Sequence, residues 1–264
     1  MAITPTSYDP QFWSDVVYRS LDLYSGEPVD DARAVAQLLV EYFRHSTEKP
    51  THFSYQVMGT KQRKLKTKTI DKILETIGPV EGRLESMYIE SIRDEDHTHA
   101  VVSAGYSYDT IVRENCIISV QSFRSDFDIS IAQHLAKAVA DSVQLDYGFS
   151  SFQTGIVNAT GFGLALRIES DRYSAKRERW LKDFQWQQTR PTEVPFLDVF
   201  ELNVLSDMHL SKSVGGKPFD AYVREKGRGT LERIGKANHL WCLEQKDIAR
   251  AKAELSGCGL VAMV

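Results

Sequence analysis

Three consecutive segments with strand character constrain the fold of this sequence more than any other feature. They cover residues 84–92, 100–108 and 116–123, and each is rich in apolar and β-forming side chains. Short polar stretches at 93–96 and 109–115 separate them and are typical of hairpin turns. Strands joined by hairpins pair antiparallel, so the sequence predicts an antiparallel sheet in the middle of the chain.

Helices are predicted before and after this block in the sequence. Residues 128–143 carry Ile131, Leu135 and Val139 on one stripe, and Asp128 is a favourable N-cap. Apolar side chains also recur at helical spacing over 10–23, 30–43 and 66–77. Because each helix has one apolar stripe, we expect the helices to cover one face of the sheet.

The C-terminal third repeats a similar order of elements. A strand is predicted at 196–205, short strands at 230–234 and 239–243, a helix from Gln245, and a last apolar strand at 259–264. This order leaves open a structural duplication of two α+β halves, 1–149 and 150–264. The predicted fold class is α+β, mostly antiparallel and covered by helices, in a single compact domain over 1–264.

Charge and composition exclude several functional classes. The 264 residues include 32 Lys and Arg against 36 Asp and Glu, a formal net charge of -4, which argues against a strongly basic nucleic-acid binder. A hydrophobic content of 42% argues against a disordered chain. The basic run at 61–68 could contact phosphate, but a solvated loop or helix start explains it equally simply. No nucleic-acid or membrane partner is therefore predicted.

The cellular compartment is predicted from the N-terminus and the cysteines. The first residues show neither a basic n-region nor an apolar h-region, so no secretory signal is predicted. Cys116, Cys242 and Cys258 are odd in number and form no CxxC pair. A reducing, cytoplasmic location is the simplest expectation.

Few residue patterns in the sequence suggest a metal-binding or catalytic site. His97 and His99 follow Asp94-Glu95-Asp96 and could begin a metal site, the basis for an alternative function as a metal-dependent hydrolase. No third ligand stands at a diagnostic spacing, so the pattern is interpreted as an acidic turn, with no metal and no cofactor. Ser206, Asp207 and His209 are too close in sequence to indicate a catalytic triad. We predict no catalytic residues and no enzymatic activity.

The C-terminal third resembles bacterial immunity proteins of polymorphic toxin and type VI secretion systems. The residues that carry the resemblance are Asp198 to Ser206, His209-Leu210, Val214-Gly215-Gly216, Gly229-Thr230-Leu231, Leu240 to Leu243 and Gly259-Leu260. Such families more often have Tyr-Pro in the strand where this sequence has Phe200-Glu201. The resemblance implies a protein that neutralises a cognate protein toxin by direct binding.

An immunity role would place the functional residues on the surface. A toxin that acts on nucleic acid tends to have a basic active site, which an acidic surface could block. The densest acidic group is Asp94-Glu95-Asp96, and Asp126 with Asp128 is a further acidic pair, so these five residues are the predicted partner-binding residues. A non-enzymatic regulatory interaction protein remains the other alternative.

Overall fold

A computed structural model of the chain describes residues 17–26, 28–29, 31–66, 69–77, 82–92, 102–109, 115–123, 127–154, 196–225 and 227–262. The described strands are β1 (Val17–Ser25), β2 (His52–Val57), β3 (Arg63–Lys66), β4 (Leu84–Ser91), β5 (Val102–Asp109), β6 (Asn115–Phe123), β7 (Tyr147–Thr154), β8 (Leu202–Ser206), β9 (Ser213–Val214), β10 (Lys217–Pro218), β11 (Thr230–Ile234) and β12 (Asn238–Cys242). The described helices are α1 (Ala32–His45), α2 (Ile70–Thr76), α3 (Ile129–Ser142), α4 (Asp207–Leu210), α5 (Phe219–Val223) and α6 (Gln245–Gly257).

Ten of these strands form one sheet in the order β11-β12-β8-β7-β1-β6-β5-β4-β2-β3, and every neighbouring pair is antiparallel. The hairpins β4–β5 and β5–β6 confirm the block of strands that periodicity predicted. The α+β class with an antiparallel sheet is therefore confirmed. Strands from both predicted sub-halves lie in the same sheet.

The longer N-terminal helices pack on one face of this sheet. Leu39 of α1, Ile73 of α2 and Leu135 of α3 share a core with Ile89 of β4 and Tyr106 of β5. The apolar stripes predicted for these helices face the sheet, as expected. The carboxyl group of Asp31 starts α1 by accepting hydrogen bonds from the backbone N–H groups of the first turn.

A second core lies on the opposite face, at the β8–β12 end of the sheet. Leu240 and Trp241 are neighbours in β12, yet Leu240 belongs to the first core and Trp241 to the second. Successive side chains of a strand point to opposite faces, so the two cores are on opposite sides of the sheet. Helices α5 and α6 contribute Phe219 and Leu255 to the second core. Helices thus cover both faces here, and the expectation of one covered face was wrong.

The first helix predicted from sequence was also wrong within the described residues. Val17–Ser25 is a strand, β1, and it lies in the middle of the sheet between β6 and β7. Leu21 and Leu23 face the first core from the same side of the strand, and Tyr24 faces the second. Pairing with two distant strands decided the conformation of a segment whose apolar spacing fits a helix or a strand.

Two further boundaries differ from the sequence predictions. The helix predicted from residue 66 begins at Ile70, because Arg63–Lys66 pairs with β2 as an edge strand. The last predicted strand reduces to a single parallel bridge between Val261 and Phe196. None of the helices within the described ranges is long and apolar enough to cross a membrane.

Candidate functional site

Asp128 is the one predicted partner-binding residue that lies within the described residues. It is exposed and immediately precedes α3, where its carboxyl group accepts a 2.8 Å hydrogen bond from the backbone N–H of Ser130. That hydrogen bond lowers the pKa of Asp128, and the nearby Arg19 contributes to the same direction. Asp128 therefore presents a negative charge at the surface and also caps a helix. Asp94, Glu95, Asp96 and Asp126, with His97 and His99, lie outside the described residues.

The register of the central strands brings the described ends of β4, β5 and β6 together at one end of the sheet. The connection that contains 94–96 leaves β4 at Ser91 and enters β5 at Val102, and these two residues are register partners. Val102 is also in register with Ser122, close to where β6 ends before the stretch that contains 126 and 128. The described strand ends that flank the two acidic stretches of the sequence therefore lie at one end of the sheet, a relation that the sequence alone does not reveal.

Arg19 organises the described residues at this end. Its guanidinium group pairs with Glu201 at 2.5 Å and donates from Nε to Ser150 Oγ at 3.2 Å. The same group lies over the rings of Phe127 and Phe152, at 5.4 and 4.8 Å from their centroids. Arg19 is largely buried. It therefore links β1 and β7 to the segments that lead into β8 and α3.

A buried polar cluster crosses the centre of the sheet on the opposite side from the N-terminal helices. Asp22 is fully buried, and its two carboxyl oxygens accept hydrogen bonds from Ser119 Oγ at 2.6 Å and Ser20 Oγ at 2.9 Å. Ser20 Oγ is also 3.2 Å from Ser151 Oγ. A carboxyl group needs such partners to be buried at all. The cluster ties β6, β1 and β7 together, and sequence reasoning missed it because its members are far apart in the chain.

The local Ser206-Asp207-His209 sequence does not form a triad. His209 is almost fully buried, and its Nδ1 accepts a 3.1 Å hydrogen bond from the backbone N–H of Ser206. Burial, with a smaller effect of Lys212, lowers the pKa of His209 to about 3, so the ring is neutral at physiological pH. Asp207 pairs instead with His239, at 2.7 Å between Oδ1 and Nε2. These contacts assign His209 to core packing rather than to proton transfer.

Two of the cysteines are poor nucleophiles. Burial raises the pKa of Cys116 to about 12 and that of Cys242 to about 11. A thiol with such a pKa carries almost no thiolate at neutral pH, and the thiolate is the reactive form. Cys116 is buried in the first core, and Cys242 is half-buried and packs against it.

Two concave surfaces lie at opposite edges of the sheet. A cleft of about 770 Å³ beside β11 combines acidic and basic side chains, among them Asp207, Asp220, Arg224 and Arg233. A groove of about 650 Å³ lies at the other edge, next to β3. Its lining residues are His52, Phe53, Ser54, Gln62, Lys64, Leu65, Lys66, Tyr88, Glu90 and Ile92. Exposed lysines on an edge strand discourage pairing with other sheets, which is a sufficient reason for this basic run.

One set of side chains has the composition of a metal site. Glu41 and His45 lie one turn apart near the end of α1, and His134 lies on the neighbouring helix α3. One donor atom from each of the three lies within 4.8 Å of the other two. The sequence shows the Glu41–His45 spacing, but only the packing of α1 against α3 adds the third residue.

Comparisons with known proteins identify a similar fold. No family model matches the chain, and no curated protein matches it. Among solved structures, the chain is similar to the Pseudomonas aeruginosa T6SS protein PA0821, with a TM-score of 0.57 and 9% sequence identity. The similarity covers 94% of this chain and 73% of that protein. At this identity the likeness establishes a shared fold, which extends well beyond the C-terminal third in which the sequence resemblance lies.

Proposed function

We propose that this chain is an immunity-type protein that neutralises a cognate type VI secretion toxin by binding it directly. The observation that carries the proposal is the fold shared over 94% of the chain with a T6SS protein of Pseudomonas aeruginosa. The resemblance of the C-terminal third to immunity proteins was inferred from other features of the sequence and points to the same kind of system.

The protonation states of one buried histidine and two cysteines are compatible with a role in binding. His209 is neutral and enclosed, and the thiols of Cys116 and Cys242 are protonated. A binding protein instead needs a rigid scaffold that presents a preformed surface. A continuous ten-stranded sheet with cores on both faces supplies such a scaffold.

The acidic end of the sheet is the proposed toxin-binding surface. It consists of Asp94, Glu95, Asp96, Asp126 and Asp128. The support is that the described strand ends next to both stretches lie at the same end of the sheet, and that Asp128 carries its charge at the surface. Acidic groups at an interface attract a basic active site and increase the association rate.

The function is tested by co-expression. Each secreted effector encoded next to the gene for this chain is expressed in a sensitive host, with and without the chain. We expect one effector to become harmless in its presence and to form a stable complex with the purified chain. Protection without a complex would indicate indirect regulation. Neither protection nor a complex with any effector would overturn the proposal.

The surface is tested separately by association kinetics with that effector. Replacing Asp94, Glu95 and Asp96 together by Lys should slow association more than it changes dissociation. The difference should shrink at high salt, because screening at physiological ionic strength already acts over about 8 Å. An unchanged association rate would remove this turn from the interface and leave neutralisation itself untouched.

Asp128 requires a matched pair of variants because it has two roles. Asp128→Asn removes the charge and retains an effective N-cap, whereas Asp128→Ala removes both. If the charge contributes to binding, both variants should slow association to a similar extent. A defect confined to Asp128→Ala would instead trace the effect to the start of α3.

A further inference from the structure

We propose that Glu41, His45 and His134 form a binding site for a divalent transition metal, with Zn²⁺ as the best match. The site would join the end of α1 to α3. It is independent of toxin binding, and it differs from the His97–His99 pair considered from the sequence.

The distances fit a common metal ion. Glu41 Oε1 and His45 Nε2 are 3.2 Å apart. Two ligands of one tetrahedral zinc, with bonds of about 2.0–2.1 Å, lie roughly 3.3 Å from each other, so this pair already has the spacing of a shared ion. The remaining donor, on His134, lies within 4.8 Å of both.

The two imidazoles are arranged so that both can face one point. The His45 and His134 rings have centroids 6.0 Å apart and an interplanar angle of 69°. Rings stacked face to face would direct their nitrogen atoms along parallel lines, whereas an edge-on arrangement allows the lone pairs to converge. Both histidines are exposed, and a metal ion can therefore enter from solvent.

The donor set determines the class of metal. Two imidazoles and one carboxylate are the ligands of a well-known type of zinc site that keeps a fourth position open. Imidazole suits Zn²⁺, Cu²⁺ and Ni²⁺, whereas Mg²⁺ and Ca²⁺ prefer sets made only of oxygen atoms.

A neighbouring arginine prepares the carboxylate for this role. Arg44 Nη1 donates a 2.8 Å hydrogen bond to Glu41 Oε2, the oxygen that does not contact His45. This bond holds the carboxylate in place and leaves Oε1 against His45 Nε2. Metal-bound carboxylates commonly have such an outer hydrogen-bond partner, which fixes their orientation.

The test is a titration of the purified, chelator-treated full-length chain with ZnCl₂, followed by calorimetry. Binding of Co²⁺, followed by its visible absorption, gives a second measure of coordination. A Cys258→Ser background removes the exposed thiol as a competing ligand. We expect one equivalent of zinc per chain and a rise in the thermal midpoint on binding, because a ligand of the folded state stabilises it.

Variants distinguish this site from others. His134→Ala and Glu41→Gln should each weaken zinc binding by at least about 10-fold, the smaller effect expected even for an outer-shell change. Both positions lie towards solvent, and Glu41→Gln preserves the side-chain shape if His134→Ala proves unstable. His97→Ala is the control and should leave zinc binding unchanged. Absence of zinc binding in the parent chain, equal binding by Glu41→Gln and the parent, or loss of binding in His97→Ala would each overturn the proposal.

Discussion

The hydrogen bond between Asp22 and Ser119 offers the most direct test of how the centre of the sheet is stabilised. Asp22 is fully buried in β1, and Ser119 Oγ donates to its carboxyl group across the strand pair at 2.6 Å. The two residues are direct register partners in β1 and β6. We therefore predict strong energetic coupling between them.

The expected magnitude follows from the number of hydrogen bonds. A hydroxyl bonded to a buried carboxyl group contributes about 1–3 kcal/mol, with the upper half of the range for an ionised acceptor. Asp22→Ala removes two such bonds, to Ser119 and Ser20, so it should lower the free energy of unfolding by about 2–6 kcal/mol. Ser119→Ala should lower it by about 1–3 kcal/mol.

A double-mutant cycle isolates the pair from the other partners of Asp22. The free energy of unfolding is measured by urea denaturation for the parent, Asp22→Ala, Ser119→Ala and the double variant. The coupling energy should be about 1–3 kcal/mol, since the second substitution loses a bond that the first has already removed. If Asp22→Ala does not fold, Asp22→Leu, which has a similar shape and no acceptor, replaces it in the cycle.

A second cycle provides the control. Ser103 is a buried serine on β5, two strands away from Asp22, so Asp22→Ala and Ser103→Ala should be additive within about 0.5 kcal/mol. Coupling with Ser119 no greater than that with Ser103 would refute the reasoning, because the hydrogen bond would then contribute nothing specific.

Three further predictions concern local features. Gly235 has φ +52°, and a Cβ atom there would lie 2.3 Å from the Ala140 carbonyl oxygen, whereas Gly215, at φ +58°, has free space around it. Gly235→Ala should therefore lower the free energy of unfolding, measured by urea denaturation, by about 1–3 kcal/mol more than Gly215→Ala does. Asp128→Ala should lower the urea midpoint and Asp128→Asn should leave it near the parent value, because asparagine also caps a helix. The folded-state pKa of His209, about 3, lies below the usual value of about 6.5 for an imidazole. The unfolded chain thus binds this proton first, and stability should fall between pH 6.5 and 3 by up to about 1.4 kcal/mol per unit, with a smaller pH dependence in His209→Gln if unfolding is followed from pH 7 to 5.

Local sequence patterns were sufficient to predict an element where its own residues and its surroundings favour the same conformation. The apolar stripe and the acidic cap of α3 depend only on residues within the helix, and the structure confirms both. The strands at 84–92, 100–108 and 116–123 are neighbours in sequence and in the sheet, and short connections specified their pairing. These elements could be predicted because few distant contacts compete with them.

Segments with ambiguous spacing could not be assigned in this way. The apolar residues from 12 to 21 recur at helical spacing, whereas Leu21 and Leu23 alternate as in a strand, and pairing with β6 and β7 selected the strand. Arg63–Lys66 shows no apolar alternation and became a strand because β2 offered a free edge. For β1 the deciding energy comes from partners far along the chain, whereas β3 pairs with the strand that precedes it.

The candidate sites also combine features that the sequence predicts with features that depend on tertiary contacts. The α+β class, the antiparallel block in the middle of the chain and the stretches of concentrated negative charge could be predicted from the sequence, because these properties are local. The folded structure was needed to show that the ends of β4, β5 and β6 next to the acidic stretches lie together, that Asp22 contacts Ser119, and that His134 lies near Glu41 and His45. Each of these relations depends on strand register or helix packing, which arise from long-range burial and hydrogen bonding rather than from the order of neighbouring residues.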